Sequence, residues 1–488
     1  MIDLTMNEEI LNRAVKRAKE RNIIIPTFEE QKNPKKIVST TIKEELKALS
    51  LWEVAPRNLF RITWKNQPVE NGGGFNDIAN YIELPSELTG VEARIIALIG
   101  KWFPTGAHKV GAAFSCLVPR LVTGQFDPTS QKAVWPSTGN YCRGGAYDSA
   151  ILGCESVAIL PEEMSKERFE WLKTVSGEVI ATPGSESNVK EIYDKCHELK
   201  AERGDDIVIF NQFDEFGNHL WHYEVTGNAI KEVLDKELHS SKYRGCCFTT
   251  GSAGTIGCGD FLKEQYPTSF IAAGESVQCP TLYENGFGAH RIEGIGDKHV
   301  PWIHNVKNTD VIVAIDDHDV MNWVRLFNEP VGLEYLEKEV GISEDITNQL
   351  HLLGISSMAN VLFAIKLAKY YELTNKDVIV TVFTDSMEMY RSRVVELREQ
   401  YGEYKTVNAA VDYHRSIKEI KTDYILELSY PQKKRVHNLK YYTWIEQQGK
   451  NVEELNQQWY ENSYWSSIHK LTPKLNELIR QFNERVAL

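Results

Sequence analysis

One lysine stands among residues that carry almost no side chain. In the stretch PTGAHKVGAA (104–113), Lys109 has Gly106, Ala107 and Gly111 as near neighbours, with His108 directly before it. Small neighbours let a flat ring approach the backbone, and exclusion of water lowers the pKa of an amine, which makes the neutral nucleophile available. The pattern is typical of a lysine that forms a Schiff base, although most lysines with such neighbours lie on a helix surface.

A second stretch has the composition of a phosphate site. The loop GSAGT (251–255) follows the predicted strand CCFTT (246–250) and precedes a helix predicted from about Ile256. A turn of small residues that opens a helix exposes backbone N–H groups at the positive end of the helix dipole. Its spacing fits neither the Walker A pattern nor GxGxxG, and a plain tight turn explains the loop equally well. A Schiff-base lysine together with a phosphate loop indicates pyridoxal 5'-phosphate as the cofactor.

The elements that must position these residues alternate along the chain from about residue 90 to 390. ESVAIL (155–160) predicts a strand, SKERFEWLKTVSG (165–177) a helix capped by Ser165 and ended by Gly177, and EVIAT (178–182) a second strand. This is a βαβ unit, and such alternation predicts parallel sheets covered on both faces by helices. Further strands are predicted at 206–211, 246–250, 269–274, 310–315 and 377–383.

Composition excludes several classes of function. A net charge of −13 and a pI near 5.6 argue against nucleic acid or an anionic membrane as partner. The eight cysteines show no CxxC or zinc-like spacing, so no metal site is predicted. No apolar run reaches the roughly 18 residues of a membrane span, and MIDLTMNEEI does not read as a signal peptide. We therefore expect a soluble protein of the reducing cytoplasm.

Several stretches resemble one known family. PTGAHKVGAA is similar to the segment that bears the cofactor lysine in the tryptophan synthase β-subunit, and PSTGNYCRGGAYDSAILGC (136–154) to the substrate loop of cysteine synthases. Other similar stretches follow in family order over about 300 residues: LPEEMSKERFEWLKTVSGEVIATPG, NQFDEFGNHLWHYEVTGNAI, EGIGDKHVP, GISSMANVLFAIKLAK and TDSMEMY. The chain thus resembles the fold-type-II (tryptophan synthase β-like) pyridoxal phosphate enzymes, closest to the cysteine synthase and cystathionine β-synthase family.

The resemblance implies an α/β fold with two doubly wound parallel-sheet domains and the cofactor in the cleft between them. We expect an N-terminal extension at 1–90, a smaller domain with the lysine and substrate loop at 91–225, and a larger domain with the phosphate loop at 226–400. The remaining 401–488 form an aromatic-rich extension, either a helical cap on the core or an interface. The resemblance also implies a homodimer.

The same resemblance implies a set of cofactor contacts. Lys109 would form the Schiff base and shuttle the substrate α-proton as general base. His108 would lie near the phosphate, Asn140 against the ring 3-oxygen and Ser386 against the pyridine nitrogen. The phosphate would be cradled by the loop residues Gly251, Ser252, Ala253, Gly254 and Thr255, where family members usually have glycine in place of Ala253.

Substrate contacts follow from the resemblance as well. The substrate carboxylate would be bound by Ser137, Thr138, Gly139 and Gln212. Tyr141 departs from the family and would select a smaller substrate, take part in acid–base work or simply pack. Asp297 and His299 would recognise an amine or a cationic group, or belong to a solvated loop.

A neutral hydroxyl such as Ser386 does not keep the pyridine nitrogen protonated, which favours loss of a β-substituent over transamination. We expect a lyase or transferase that performs β-elimination or β-replacement on a small amino acid through an aminoacrylate, with a thiol or another small nucleophile as second substrate. Deamination of threonine, serine or diaminopropionate is the alternative. A catalytically silent partner-binding relative is a third reading, against which the intact Lys109, Asn140 and Ser386 argue.

Overall fold

Eleven strands form two separate sheets in the part of the chain that the structure describes. The computed structural model describes residues 2–487. The seven-stranded sheet has the order β1-β2-β10-β7-β8-β9-β11 and the four-stranded sheet the order β5-β4-β3-β6. The strands are β1 Tyr81–Leu84, β2 Arg94–Ile99, β3 Lys132–Pro136, β4 Ser156–Pro161, β5 Glu178–Thr182, β6 Ile207–Ile209, β7 Lys242–Thr249, β8 Phe270–Ser276, β9 Val311–Ile315, β10 Asp377–Phe383 and β11 Ile425–Glu427.

The sheets are parallel except at two edges of the larger one. There β1 runs antiparallel to β2, and β11 runs antiparallel to β9. All pairs of the smaller sheet are parallel. The predicted α/β class with parallel sheets is confirmed.

Helices pack on the sheets and form most of the N-terminal and C-terminal segments. The α-helices are α1 Glu8–Glu20, α2 Phe28–Lys32, α3 Pro34–Ile37, α4 Thr40–Lys47, α5 Ser86–Thr89, α6 Lys109–Thr123, α7 Asn140–Leu152, α8 Lys166–Val175, α9 Val189–Arg203, α10 Phe216–Trp221, α11 Gly227–Glu237, α12 Ile256–Gln265, α13 Thr281–Glu284, α14 Asp317–Leu326, α15 Pro330–Tyr335, α16 Glu344–Thr347, α17 Ile355–Tyr370, α18 Arg391–Tyr401, α19 Thr406–Tyr413, α20 Tyr430–Lys440, α21 Val452–Tyr460, α22 Tyr464–His469 and α23 Thr472–Ala487. Short 3-10 turns span Pro56–Arg61, Val69–Asn71, Pro104–Gly106, Gly204–Asp206, Val306–Asn308, Leu350–Leu352 and Met387–Met389, and π-helical turns span His222–Thr226, Leu336–Val340, His414–Lys418 and Tyr441–Gln447.

The predicted βαβ unit is present as β4, α8 and β5. Ser165 occupies the N-cap position of α8 as predicted, but its side chain makes no capping hydrogen bond. The helix ends at Val175 with Ser176 as its C-cap, so Gly177 stands directly after the cap, where a terminating glycine is expected, but it is not left-handed. The backbone N–H of Ser176 donates to Leu172 O at 2.8 Å, which closes the last turn without a left-handed residue.

Both chain ends pack on the core. Helix α1 contacts α6 and α23, and Arg485 forms an ion pair with Glu8 at 2.7 Å. In the C-terminal segment the buried Trp444 donates its indole N–H to Val300 O at 2.8 Å. These contacts are those of a helical cap. The predicted division into four segments stays a prediction, and strands β1, β2 and β11 of the seven-stranded sheet lie outside the range 226–400 predicted for the larger domain.

Within residues 2–487 no single helix combines the length and apolar character needed to cross a bilayer, and one sharply bent pair, Glu344–Leu352 with Ile355–Tyr370, passes by length and composition alone.

Candidate active site

Lys109 is the first residue of α6, at the junction of the two sheets. The 3-10 turn before it contains two left-handed residues, Thr105 at φ +67° and Gly106 at φ +71°, which turn the chain sharply into the helix. A Cβ atom at Gly111, in the next turn, would overlap the indole of Trp221, so only glycine lets these elements approach this closely. The small-residue pattern around the lysine therefore has a packing cause.

The amine of Lys109 hydrogen-bonds to residues that follow strands of both sheets. Its Nζ donates to Ser252 Oγ at 2.9 Å, beyond the end of β7, and to Gln212 Oε1 at 3.2 Å, beyond the end of β6. Desolvation lowers the pKa of Lys109 to about 8, although Asp297 and Glu186 act in the opposite direction. A substantial fraction of the amine is therefore neutral in mildly alkaline solution, as a nucleophile or base requires.

The loop 251–255 has the features of a phosphate cradle. A Cβ atom at Gly254 would overlap the amide of Asn218, and Ala253 adopts a left-handed φ of +58°. Ser252 Oγ accepts from Asn218 Nδ2 at 3.0 Å. Within residues 2–487 the backbone N–H groups of Ser252, Ala253 and Thr255 donate no hydrogen bond, and they lie at the start of α12. Unused N–H groups at a helix N-terminus form a site for a phosphate group.

The predicted substrate loop contacts this centre through Gln212. Ser137 Oγ accepts from Gln212 Nε2 at 3.3 Å and from the backbone N–H of Gly139 at 3.1 Å. Gln212 thus links Lys109 to the loop after β3 with the two ends of one amide group. The carbonyl of Thr138 accepts from Arg168 Nη1 at 2.9 Å, which fixes the other side of the loop.

Asn140 and Ser386 follow strands of different sheets, β3 and β10, and lie beside the buried Asp385. Asn140 starts α7, and its Nδ2 donates to Asp385 Oδ2 at 2.6 Å. The same oxygen accepts from Tyr390 OH at 2.6 Å. Ser386 is 2% exposed, and its hydroxyl makes no hydrogen bond within the described part of the chain. The hydroxyl is thus available to another partner, whereas the Asn140 amide already has one.

His108 and Tyr141 are buried and make no hydrogen bond to the loop 251–255 within residues 2–487. His108 Nε2 lies 3.3 Å from Thr384 Oγ1, and burial lowers the pKa of this histidine to about 3, so its ring is neutral. The ring of Tyr141 packs edge-on against Trp135 at 5.5 Å within the main core cluster. The hydroxyl of Tyr141 and Nδ1 of His108 have no hydrogen-bond partner among residues 2–487, so the roles predicted for both residues stay predictions.

Several buried charges near the cleft were not singled out from the sequence. Arg168 is fully buried and pairs with Glu293 at 2.9 Å, and its Nη2 donates to Tyr390 OH at 2.6 Å. Glu186 is buried, and its Oε2 has no hydrogen-bond partner among residues 2–487. Arg168 lies in LPEEMSKERF, a stretch quoted for the resemblance, so an arginine among apolar helix positions was a usable signal.

Asp297 and His299 behave differently from each other. Asp297 is 5% exposed, its Oδ2 lacks a partner in the described chain, and burial raises the pKa of the carboxyl to about 8 against the pull of Lys109. His299 Nε2 lies 3.1 Å from Tyr193 OH, and its ring packs on Phe213 and Trp444. Of the two residues, Asp297 therefore interacts with Lys109, whereas His299 packs with the C-terminal segment.

Comparison with known proteins identifies the family. Residues 101–385, more than half of the chain, match the family described as pyridoxal-phosphate dependent enzyme. The chain belongs to this family. Its cofactor is pyridoxal phosphate, and the residues present fit it: a lysine amine in the cleft, a loop with unused N–H groups and a buried hydroxyl on Ser386.

Individual relatives extend this match. The chain is similar to the cysteine synthase of Staphylococcus aureus, with 31% identity over 59% of this chain and 84% of the relative. It is similar to the cystathionine beta-synthase of Saccharomyces cerevisiae, with 28% identity over 64% of this chain, and it spans only 60% of the length of that enzyme. A hydrogen sulfide-producing enzyme of Fusobacterium nucleatum has a similar structure, with a TM-score of 0.54 and 25% identity over 71% of this chain and 95% of the other.

Proposed function

We propose that this enzyme removes or replaces the β-substituent of a small amino acid. The observation that carries the proposal is the position of the Lys109 amine, hydrogen-bonded to Ser252 of the phosphate loop and to Gln212, which in turn contacts Ser137 of the substrate loop. This arrangement brings a base, a cofactor site and a carboxylate site together. The similarity to cysteine synthase and cystathionine beta-synthase supports the reaction class.

Each group of residues has a distinct role in the proposal. When bound, pyridoxal phosphate supplies a ring that withdraws electrons from the substrate α-carbon and so labilises its bonds. Lys109 Nζ holds the cofactor and moves the α-proton, for which a pKa of about 8 is well suited. The loop 251–255 binds the phosphate, with His108 nearby, and Asn140 and Ser386 contact the ring. The substrate carboxylate is bound by Ser137, Thr138, Gly139 and Gln212.

A second candidate is release of ammonia, above all from diaminopropionate, and one observation favours it. Asp297 and Glu186 are buried carboxyl groups with unpartnered oxygens, and both interact electrostatically with Lys109. A buried carboxyl group of raised pKa binds an amine or gives a proton to a leaving group. The β-amino group of diaminopropionate is both an amine that such a carboxyl group binds and a leaving group that takes its proton. A β-thiol or β-hydroxyl is only a leaving group.

The experiment compares substrates on the enzyme loaded with cofactor. Serine, O-acetylserine, cysteine, threonine and diaminopropionate are incubated with and without sulfide, and cysteine, sulfide, pyruvate and ammonia are measured. The proposal expects turnover of a β-substituted substrate, with or without replacement, that Lys109→Ala abolishes and that Lys298→Ala, a change at an exposed lysine, leaves intact. Ammonia release from diaminopropionate alone supports the second candidate. Turnover that persists in Lys109→Ala contradicts both.

We also propose that the enzyme is a cytoplasmic homodimer. All eight cysteines are buried and unpaired, which is usual for proteins of a reducing compartment. The dimer rests on the family resemblance. Light scattering during size-exclusion chromatography tests it, since a mass near 55.7 kDa, that of one chain, contradicts a dimer.

A further inference from the structure

Three potential metal ligands meet outside the cleft, although they are far apart in the sequence. They are His219 of α10, Asp260 of α12 and His469 of α22, and all three are buried. Neither the residue spacing nor the composition predicts this cluster, because the C-terminal segment supplies one member and the segments around the phosphate loop supply the other two.

The ligand atoms lie close enough together for one metal ion to bind all three. The two histidine Nε2 atoms are 3.0 Å apart, and Asp260 Oδ2 lies 3.7 Å from that of His219 and 3.9 Å from that of His469. These three distances define a point about 2.1 Å from every ligand atom, which is the length of zinc–nitrogen and zinc–oxygen bonds. The rings are nearly parallel, at 3°, and the 3.0 Å between their Nε2 atoms is the length of an N–H···N hydrogen bond between two neutral imidazoles, so a metal ion at the equidistant point requires the rings to turn and the shared proton to leave.

The surroundings orient the ligands. Asp260 accepts from Asn305 Nδ2 at 2.7 Å and from Asn308 Nδ2 at 2.6 Å. The nearest carboxylate oxygen of Glu264 lies 3.7 Å from His469 Nδ1, which is too far for a hydrogen bond, and the Nδ1 atoms of both histidines have no hydrogen-bond partner among residues 2–487. A surface cleft of about 470 Å³ reaches Asp260, Asn305 and His469, so an ion and a water molecule have a route to the cluster.

We propose that His219, Asp260 and His469 bind one divalent transition-metal ion of the zinc type, with a water molecule from the cleft as fourth ligand. Two neutral imidazoles and one carboxylate form a ligand set that suits such ions better than calcium or magnesium. The site would attach the C-terminal segment to α10 and to α12. Asn218, next to His219, donates a hydrogen bond to the phosphate loop, so a metal ion bound to His219 would also stabilise the position of that loop.

The test titrates Co²⁺ into chelator-treated enzyme that retains its cofactor. Co²⁺ takes the place of zinc and has visible bands of its own, and Zn²⁺ is then used to displace it. The proposal expects one equivalent of tightly bound ion and an increase of the melting temperature on addition of Zn²⁺. His469→Gln and Asp260→Asn should each lower the affinity by at least about 100-fold.

Two controls keep the result interpretable. His197→Gln changes an exposed histidine and should bind metal as the unmodified enzyme does. Circular dichroism without metal establishes that His469→Gln and Asp260→Asn are folded. Absence of stoichiometric binding would mean that only a proton joins the two rings. Binding that survives both ligand substitutions would place the ion elsewhere, and either result overturns the proposal.

Discussion

Replacing Asp297 by asparagine should stabilise the cofactor-free protein, and the gain should grow between pH 6 and pH 8. The carboxyl is buried, one of its oxygens has no partner among residues 2–487, and burial raises its pKa to about 8. An unfolded aspartate ionises near its ordinary pKa of about 3.9. Between these two values the folded protein holds a proton that the unfolded chain has released, so stability falls as pH rises from about 4 to about 8.

The size of the effect follows from the width of that interval. One pKa unit corresponds to about 1.4 kcal/mol, and because the folded carboxyl is already half ionised at pH 8, the step from pH 6 to pH 8 corresponds to a loss of about 2 kcal/mol in the unmodified protein. The Asp297→Asn variant has no group to titrate at this position and loses none of it. The attraction of Lys109 for the ionised carboxylate is already contained in the pKa of about 8.

Urea unfolding followed by tryptophan fluorescence measures the difference at both pH values. Asp345→Asn, at an exposed aspartate, is the matched control and should not alter the pH dependence. A stability gain from Asp297→Asn that is equal at pH 6 and pH 8, or that shrinks as the pH rises, would refute the reasoning.

Three further substitutions test the remaining contacts. Gln212→Leu removes the two hydrogen bonds that join the Lys109 amine to the substrate loop. It should raise the KM of the amino-acid substrate about tenfold in steady-state assays, and an unchanged KM would contradict the role of Gln212. Gly254→Ala puts a methyl group into the space filled by the side chain of Asn218 and should weaken the affinity for the cofactor by at least about tenfold in a fluorescence titration. An affinity equal to that of the unmodified enzyme would refute the proposal that the loop 251–255 binds the phosphate. Arg168→Met takes from the buried Glu293 one of its two arginine partners, leaving Arg393, and should cost about 3 kcal/mol in urea unfolding, of which Arg168→Met/Glu293→Leu should recover a part; an unchanged stability of Arg168→Met would contradict it.

Regular elements were predictable where the sequence carries a strong local pattern. The strands at 178–182 and 377–383 match the structure residue for residue, because both are apolar runs bounded by polar or small residues. Strands β1, β2, β3 and the short edge strand β11 were missed. β11 has only three residues and depends on pairing with β9 rather than on its own composition.

The site was predictable in part. Lys109, the loop 251–255 and Gln212 were found because they lie in motifs, and the structure brings them into hydrogen-bond contact. The pairing of Arg168 with Glu293 was not found, because it joins residues more than a hundred positions apart. The environment of Asn140 also depends on tertiary structure, since its partner Asp385 comes from the other sheet.

The central claim is that Lys109 carries the cofactor. Borohydride reduction of the enzyme loaded with pyridoxal phosphate, followed by proteolysis and mass spectrometry, tests it most directly. The account predicts one pyridoxyl group per chain on the peptide that contains Lys109, and none on that peptide in Lys109→Ala. A pyridoxyl group on another lysine of the unmodified enzyme, or none at all, would contradict the account.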